Sequence, residues 1–455
     1  MRFFSTIVRS LAVPSLLVSA GAWAQGQQGS GSPYSAYGLG EFTGGSQIAQ
    51  ALMGGLGVAV VDNASTVTIN PASYASLRTT VFETGLRVRS SQYASAADES
   101  NGRRTDLLGL TIGIPFGSGR WGLAVGLNPQ SRVGYLLMDT RTLPGGEGNV
   151  TYRYTGEGGL NQALLGASYV LVEKRDSLYN GRRLSIGANL GYVFGSIEES
   201  RKTVYPTQVG FYNTSVFSSL IVRDPTATIG LQYQGDLRKR KKDSADDGLR
   251  FLAGASLELP ASLGARRTDV VNSYGFNASG VEVPIDTSFF ADGTKGSLDL
   301  PLGYGFGFTV YDQHWTVSAE VRQRDWRRLK VNVEGYSAPS ELAANATFIV
   351  GASYRPANEG VGNLWQRSIY RAGLRYTNDY LVVGGNQLQE KAVSVGLSLP
   401  VLGSITRSRI NLGGEFGERG TVSDGLVRER FAMLFVGISI TPSLGENWFK
   451  KRPID

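Results

Sequence analysis

From about residue 79 to residue 442, apolar and polar side chains alternate with a period of two, in run after run. In Val81 to Arg89, Phe82, Leu86 and Val88 share one face while Glu83, Arg87 and Arg89 share the other. Trp315, Val317, Ala319 and Val321 oppose Glu320, Arg322 and Arg324 in the same way. Tyr370, Ala372, Leu374 and Tyr376 oppose Arg371 and Arg375, and Ile410, Leu412 and Phe416 oppose Arg409, Asn411 and Glu415. Successive side chains of a strand point to opposite faces, so each run predicts a β-strand with two chemically distinct sides.

The pattern parses into about fourteen strands, near 79–94, 104–116, 120–141, 149–174, 183–201, 212–236, 249–272, 295–311, 314–326, 345–355, 367–377, 390–402, 406–417 and 427–442. A soluble β-sandwich shares this periodicity but needs a dry interior for its apolar face. That number of strands, following an export signal, predicts instead an all-β antiparallel transmembrane β-barrel. An Arg on the lipid face near the midplane costs about 2–4 kcal/mol. The charged faces are therefore expected to point inward, making Glu83, Arg87, Arg89, Glu320, Arg322, Arg371 and Arg375 polar residues that line the lumen.

Connections give a parity check. The tightest, Gly117-Ser118-Gly119, Asp312-Gln313 and Gly403-Ser404-Ile405, follow strands 2, 8 and 12, as short periplasmic turns should. The longest, Ser273 to Thr294, follows strand 7 and is expected to be an outer loop.

Residues 1–24 read as a signal peptide: Arg2 and Arg9, an apolar centre from Leu11 to Ala20, then Ala22-Trp23-Ala24 as the cleavage site. The apolar stretch is short and holds Pro14, which argues against a membrane helix, and no later run reaches 18 apolar residues. Cleavage after Ala24 predicts an exported chain, destined for the outer membrane. The division expected is 1–24 signal peptide, 25–77 interior segment, 78–442 barrel and 443–455 periplasmic tail.

Composition fits. Gly is 60 of 455 residues, roughly twice the usual share of about 7%. Aromatics make up 10%, with 21 Tyr, as aromatic girdles require. Cys is absent, so the chain holds neither a lipoprotein anchor nor disulfides. A formal charge of +7 on 455 residues is mild and gives little support to nucleic-acid binding.

Ahead of the first strand lies a small-residue segment from Gly54 to Ser73 that holds Gly54-Gly55-Leu56-Gly57 and ends in Asn70-Pro71-Ala72-Ser73. It has too few large apolar residues to form a core of its own. With strand 1 directly after it, it resembles the N-terminal hatch of the FadL/TodX family of outer-membrane transporters for long-chain fatty acids and aromatic hydrocarbons. The resemblance implies a hatch plugging the lumen, with Gly54, Gly55, Gly57, Asn70, Pro71 and Ala72 in the gating element. Asn128-Pro129 interrupts strand 3, and proline removes a ladder donor. By the same resemblance this is a wall kink through which a hydrophobic ligand leaves laterally into outer-membrane lipid.

Other signals carry no chemistry. Gly55-x-Gly57 is preceded by no strand and followed by no βαβ unit. The basic run Arg238 to Lys242 reads as a solvated periplasmic turn, and the one His, His314, sits in a short turn without a partner ligand. No catalytic constellation and no metal site stand out, and no cofactor is implied. The expected function is passive transport of a hydrophobic small molecule, of fatty acid or hydrocarbon type. The alternative, carried by some members of the resembled family, is a docking barrel for secretion-machinery proteins.

Overall fold

A computed structural model describes residues 31–60, 62–96, 98–144, 148–175, 181–206, 210–239, 248–336, 341–357, 362–401, 407–423 and 425–442. The expected signal peptide, the C-terminal tail and most of the basic run Arg238 to Lys242 lie outside the described residues. Strand β1 (Glu41–Phe42) and helix α1 (Ile48–Ala51) belong to the N-terminal segment, which continues through a 3-10 helix (Pro71–Ser76). The wall follows: β2 (Val81–Ala94), β3 (Glu99–Phe116), β4 (Trp121–Pro129), β5 (Ser131–Thr142), β6 (Asn149–Arg175), β7 (Gly181–Val204), β8 (Asn213–Arg238), β9 (Leu249–Glu258) and β10 (Ala261–Phe276). It is completed by β11 (Glu282–Leu300), β12 (Gly303–Tyr311), β13 (Trp315–Asp325), β14 (Lys330–Asn332), β15 (Ala344–Tyr354), β16 (Ile369–Val383), β17 (Asn386–Pro400), β18 (Arg409–Arg419) and β19 (Arg428–Ile440).

Neighbours pair antiparallel, and β19 returns to β2 from Arg428↔Ala94 to Ile440↔Phe82, so the sheet closes. β4 with β5, β9 with β10 and β11 with β12 are each halves of one bent stave, and the three-residue β14 pairs with β11 while β13 pairs directly with β15, so β14 is no stave of its own and the closed barrel has 14 staves. We call the end at which the chain enters β2 the lower end.

Alternation decides the two faces. Leu86, Val125, Leu165, Ile229, Phe306, Val350, Leu374, Val395 and Leu434 project outward and stay exposed, a band of apolar side chains on staves all round the wall. Phe116, Trp121 and Tyr169 stack along its lower rim, and Trp315 meets Tyr354 there with ring centres 4.3 Å apart. An apolar band edged by aromatics is what a bilayer selects on a barrel's outer surface.

One expectation fails. Ser273 to Thr294 is not a loop: β10 runs to Phe276, β11 starts at Glu282, and the two pair out to Phe276↔Glu282. The charged and polar residues of this arm stand beyond the apolar band, where both faces meet water and alternation no longer marks a strand. β6, β7 and β8, of 27, 24 and 26 residues, likewise exceed the 9–11 or so that cross a bilayer. The upper end is therefore uneven, tall over β5 to β8 and β10–β11 and low over β15 to β19.

Candidate functional site: a plugged lumen and its cavity

The described N-terminal residues lie inside the barrel, and the lower part sits on a ring of inward-facing glycines. A Cβ at Gly122 would meet the Tyr74 carbonyl carbon and oxygen at 2.2 Å, one at Gly254 the Val58 oxygen at 2.2 Å, and one at Gly373 the Gly54 nitrogen at 2.2 Å. Leu52 fills the space over Gly396 and Gly413, and Ile48 that over Gly85 and Gly437. Backbone thus lies directly on backbone, an approach that any side chain at these positions would block.

The inward polar residues fasten the same stretch. Glu320 accepts from the Gly57 and Val58 N–H groups, both at 2.8 Å. Glu83 accepts from Ser65 Oγ at 2.8 Å and from the Thr66 N–H at 2.5 Å. Arg322 donates to the Gly55 carbonyl at 2.9 Å, and Arg371 pairs with Asp62 at 3.5 Å. Asn70, fully buried, caps the 3-10 helix by accepting from the Ala72 N–H at 3.1 Å. Its amide donates to the carbonyls of Val58, Leu231 and Ala255 at 2.7, 3.2 and 3.2 Å, tying the segment to β8 and β9. Pro71 follows at the first helical position, where its missing N–H goes unused. Tyr74 donates to Asn189 Oδ1 at 2.9 Å, and burial raises its phenol above the ordinary range, so the ring stays neutral.

Residues 32–45 are held differently. β4 ends at Pro129 and β5 starts at Ser131; both pair with β6, but on their other side they take different neighbours. β4 pairs with β3 only from Leu110 to Phe116, whereas among the described residues no pairing joins β5 to β3. Gly109, with φ of 110°, is where β3 leaves the Pro129 end of β4, and Gly159, with φ of 138°, absorbs the bend on β6. The free edge of β5 is covered from inside by β1, in the register Glu41↔Arg132 and Phe42↔Ser131. Thr43 adds an N–H bond to the Gln130 carbonyl at 3.0 Å and a hydroxyl bond to the Pro129 carbonyl at 2.6 Å. Gln47 reaches Asn128 Oδ1 at 3.4 Å.

At Glu41 of β1 the fastening is ionic. Glu41 binds Arg89 at 2.7 Å and Arg104 at 3.3 Å, and Arg419 stands 3.8 Å away. Burial alone pushes the Glu41 carboxyl up, but Arg89, Arg104, Arg419 and Arg87 outweigh it and hold the group well below the usual carboxylate range. Arg89 also meets the fully buried Glu429 at 2.8 Å, which accepts from Ser32 Oγ at 2.8 Å. Arg375 bridges Glu390 at 2.9 Å and Glu415 at 2.6 Å, and Arg419 is bound by Asp379.

Between segment and wall lies a cavity of about 350 Å³. Of the residues singled out by sequence, Gly55, Arg87, Arg89, Asn128, Arg322 and Arg375 line it. Gly54, Gly57, Asn70, Pro71, Ala72, Glu83, Glu320 and Arg371 lie beneath it in the packed contact, and the Pro129 carbonyl is engaged by Thr43. Glu415, on a charged face that the sequence turns inward, also lines the cavity, as do Glu41, Phe42, Trp326, Asp379, Tyr380, Glu390 and Arg419, none of which was singled out from the sequence. Alternation could have placed Glu390 and Arg419 inside as well, but Glu41 lies in a two-residue strand with no periodicity to read. Among the described residues no group of acidic or histidine side chains could hold a metal, and His314 Nδ1 lies 2.8 Å from the Arg355 carbonyl in the β12–β13 turn.

A family model described as BamG matches residues 7–455. No curated protein matches. Among solved structures, the Ralstonia pickettii toluene transporter TbuX is 14% identical over 87% of this chain and 98% of its own, with a TM-score of 0.53. The P. putida toluene transporter TodX is 14% identical over 88% and 99%, with a TM-score of 0.52. A Pseudomonas aeruginosa FadL homologue is 10% identical over 87% and 98%, with a TM-score of 0.52. The resemblance read from the sequence thus holds at the level of the fold, which is what likeness at these identities shows.

Proposed function

This chain belongs to the BamG family, and from that premise and its plugged lumen we propose that it is an outer-membrane barrel for passive transport of a hydrophobic small molecule. The observation that carries the reading is the cavity, which is walled by residues 41–46 and 55 and reaches Asn128 and Gln130 at the bend between β4 and β5. At that bend, among the described residues, the missing β3–β5 ladder is covered only by the short β1 and its flanks. A shift of residues 32–45 would open a lateral path from cavity to bilayer, with residues 46–77 staying seated. The guanidiniums of Arg87, Arg89, Arg322, Arg324, Arg375 and Arg419 favour an amphiphile with an anionic head, of fatty acid type, over a bare hydrocarbon. Their carboxylate partners compete for them, which suits passage better than storage. The solved relatives named as toluene transporters support hydrophobic cargo in general terms.

The absence of native Cys gives a clean test. Phe42→Cys with Ser131→Cys places thiols on paired residues of β1 and β5. Oxidation should block entry of radiolabelled oleate into proteoliposomes and reductant should restore it. Uptake indifferent to the lock would overturn the gating role of residues 32–45.

A second reading, a docking barrel for secretion-machinery proteins, is favoured by the tall side of the wall. There Phe276, Val281, Val283, Ile285, Phe289 and Phe290 are exposed on the β10–β11 arm, beside Phe211 and Tyr212 ahead of β8. Apolar residues clustered beyond the lipid band mark interaction surfaces. A stoichiometric partner lost on Phe289→Ser with Phe290→Ser, while oleate uptake is untouched, would favour this reading.

A further inference from the structure

The wall has a second break, on the staves that follow β8. Pro260 separates β9 from β10, and Pro301 with Leu302 separates β11 from β12. The two bends coincide, since Glu258 faces Gly303 and Ala261 faces Leu300 across the hairpin. On the far side β13 follows β12 only to Gly303↔Arg324. The chain then makes a 3-10 turn (Trp326–Arg328) and returns as β14, which pairs with β11 from Asp299 to Ser297. Prolines supply no ladder donor, so two adjacent bends facing a turn leave a notch in the wall.

The notch opens outward into a groove of about 440 Å³. Pro260, Leu300, Pro301 and Leu302 give it an apolar lining, with Arg327, Arg328 and Lys330 along its rim. Arg327 and Arg328 share a single carboxylate, Asp325, at 2.7 and 3.3 Å, and their side chains are 65% and 80% exposed. Lys330 stands opposite Asp299, whose carboxylate already accepts from Ser262 Oγ at 2.5 Å. Three cations therefore meet two carboxylates. Toward the lower end, exposed Leu302, Tyr304 and Phe306 continue onto the apolar band.

Inside, Trp326 is buried behind the notch, its ring 4.8 Å from Phe42 and 5.2 Å from Tyr380, with the Arg324 guanidinium 5.2 Å from its centre. Tyr304 donates to Gln323 Oε1 at 2.8 Å, and both residues line the groove and the central cavity alike. The Trp326 ring and the Tyr304–Gln323 pair stand between the two spaces.

We infer that the notch is a second amphiphile site. The rim cations take the anionic head of a single-chain amphiphile drawn from the bilayer, its chain lies along Leu302 to Phe306, and the Trp326–Phe42 contact closes the groove from the cavity. The occupant follows from position: the groove opens at the upper rim of the apolar band, where the surrounding medium is lipid and cationic side chains reach headgroups. Its link to the cavity rests on the transport reading, but not on the route at Pro129.

The test is labelling of the full-length protein in nanodiscs with a photoreactive long-chain fatty acid, beside the matching fatty alcohol, with cross-linked peptides mapped by mass spectrometry. The acid should label the peptides around Leu302 and Gln323. Labelling there should fall about fivefold in the Arg327→Gln, Arg328→Gln, Lys330→Gln variant, as loss of partly exposed cation contacts implies, while the alcohol's labelling is unchanged. Labelling confined to residues 128–132 would overturn the second site and leave the transport reading intact. Labelling at neither place would overturn both, and an equal fall for the alcohol would overturn the assignment of the headgroup.

Discussion

Residues 46–77 and residues 32–45 share the lumen but are held by different physics. The lower stretch lies backbone on backbone over Gly122, Gly254 and Gly373, with no room for even a methyl group. The upper stretch hangs on Glu41, Arg89, Arg104 and Arg419 beside an open cavity, and on a two-residue ladder to β5. Close packing has no alternative arrangement of similar energy, because displaced backbone would leave a void and unpaired polar groups. Ion pairs next to a cavity can exchange partners with one another or with water. On our proposal the lower stretch stays seated and the upper one is the part that moves.

The strongest way to break this comparison is Gly373→Val, which forces a side chain onto the Gly54 and Met53 backbone. Overpacking of this kind is expected to cost about 3 kcal/mol, lowering the thermal transition of the whole barrel. Gly134→Ala, whose nearest foreign atom is 4.0 Å from the added Cβ, should leave that transition in place.

Glu41→Gln should cost about 3 kcal/mol locally, because removing one partner of a buried ion pair leaves its guanidiniums uncompensated. The loss is expected in hydrogen exchange of residues 32–45, with the barrel's melting unchanged. If both variants lowered the same global transition, the two stretches would be one cooperative unit and the distinction would fail.

Asn70→Ala removes a cap and three donor contacts from the lower stretch, and about 2 kcal/mol should be lost from the global transition. Thr43→Val deletes the single hydroxyl bond to Pro129 and should cost about 1 kcal/mol, seen as faster exchange at β1 alone.

The smallest expected effect is that of pH near neutrality. A carboxyl whose folded pKa is depressed adds stability that is fully present above its unfolded value, about 4.3 for Glu, and is lost as pH falls through the folded value. Glu41 is such a group, so protection of residues 32–45 should be flat from neutral pH down to about 5. It should fade only in stronger acid. Loss of protection already at pH 6 would mean that Glu41 does not hold residues 32–45.

Much of this architecture was legible along the chain because alternation is a local property. Leu86 and Arg87 declare opposite faces of β2 whatever their neighbours are, and the same logic gives fourteen staves and the inward charges. Pro129 marked a bend because a missing N–H is a property of the residue itself. What those residues touch was not legible. That Glu41 meets Arg89, Arg104 and Arg419, or that Gly373 seats Gly54, depends on the register of staves more than 300 residues apart in sequence for the latter pair and for Arg419. The β10–β11 arm was missed because beyond the lipid both faces are wet and nothing forces alternation. Sequence alone thus determined how many times the chain crosses and which way its side chains point. Closure of the barrel decided which inward charges became anchors, which glycines became seats and which strand edges found no ladder partner, because those depend on distances that exist only once the first stave pairs with the last.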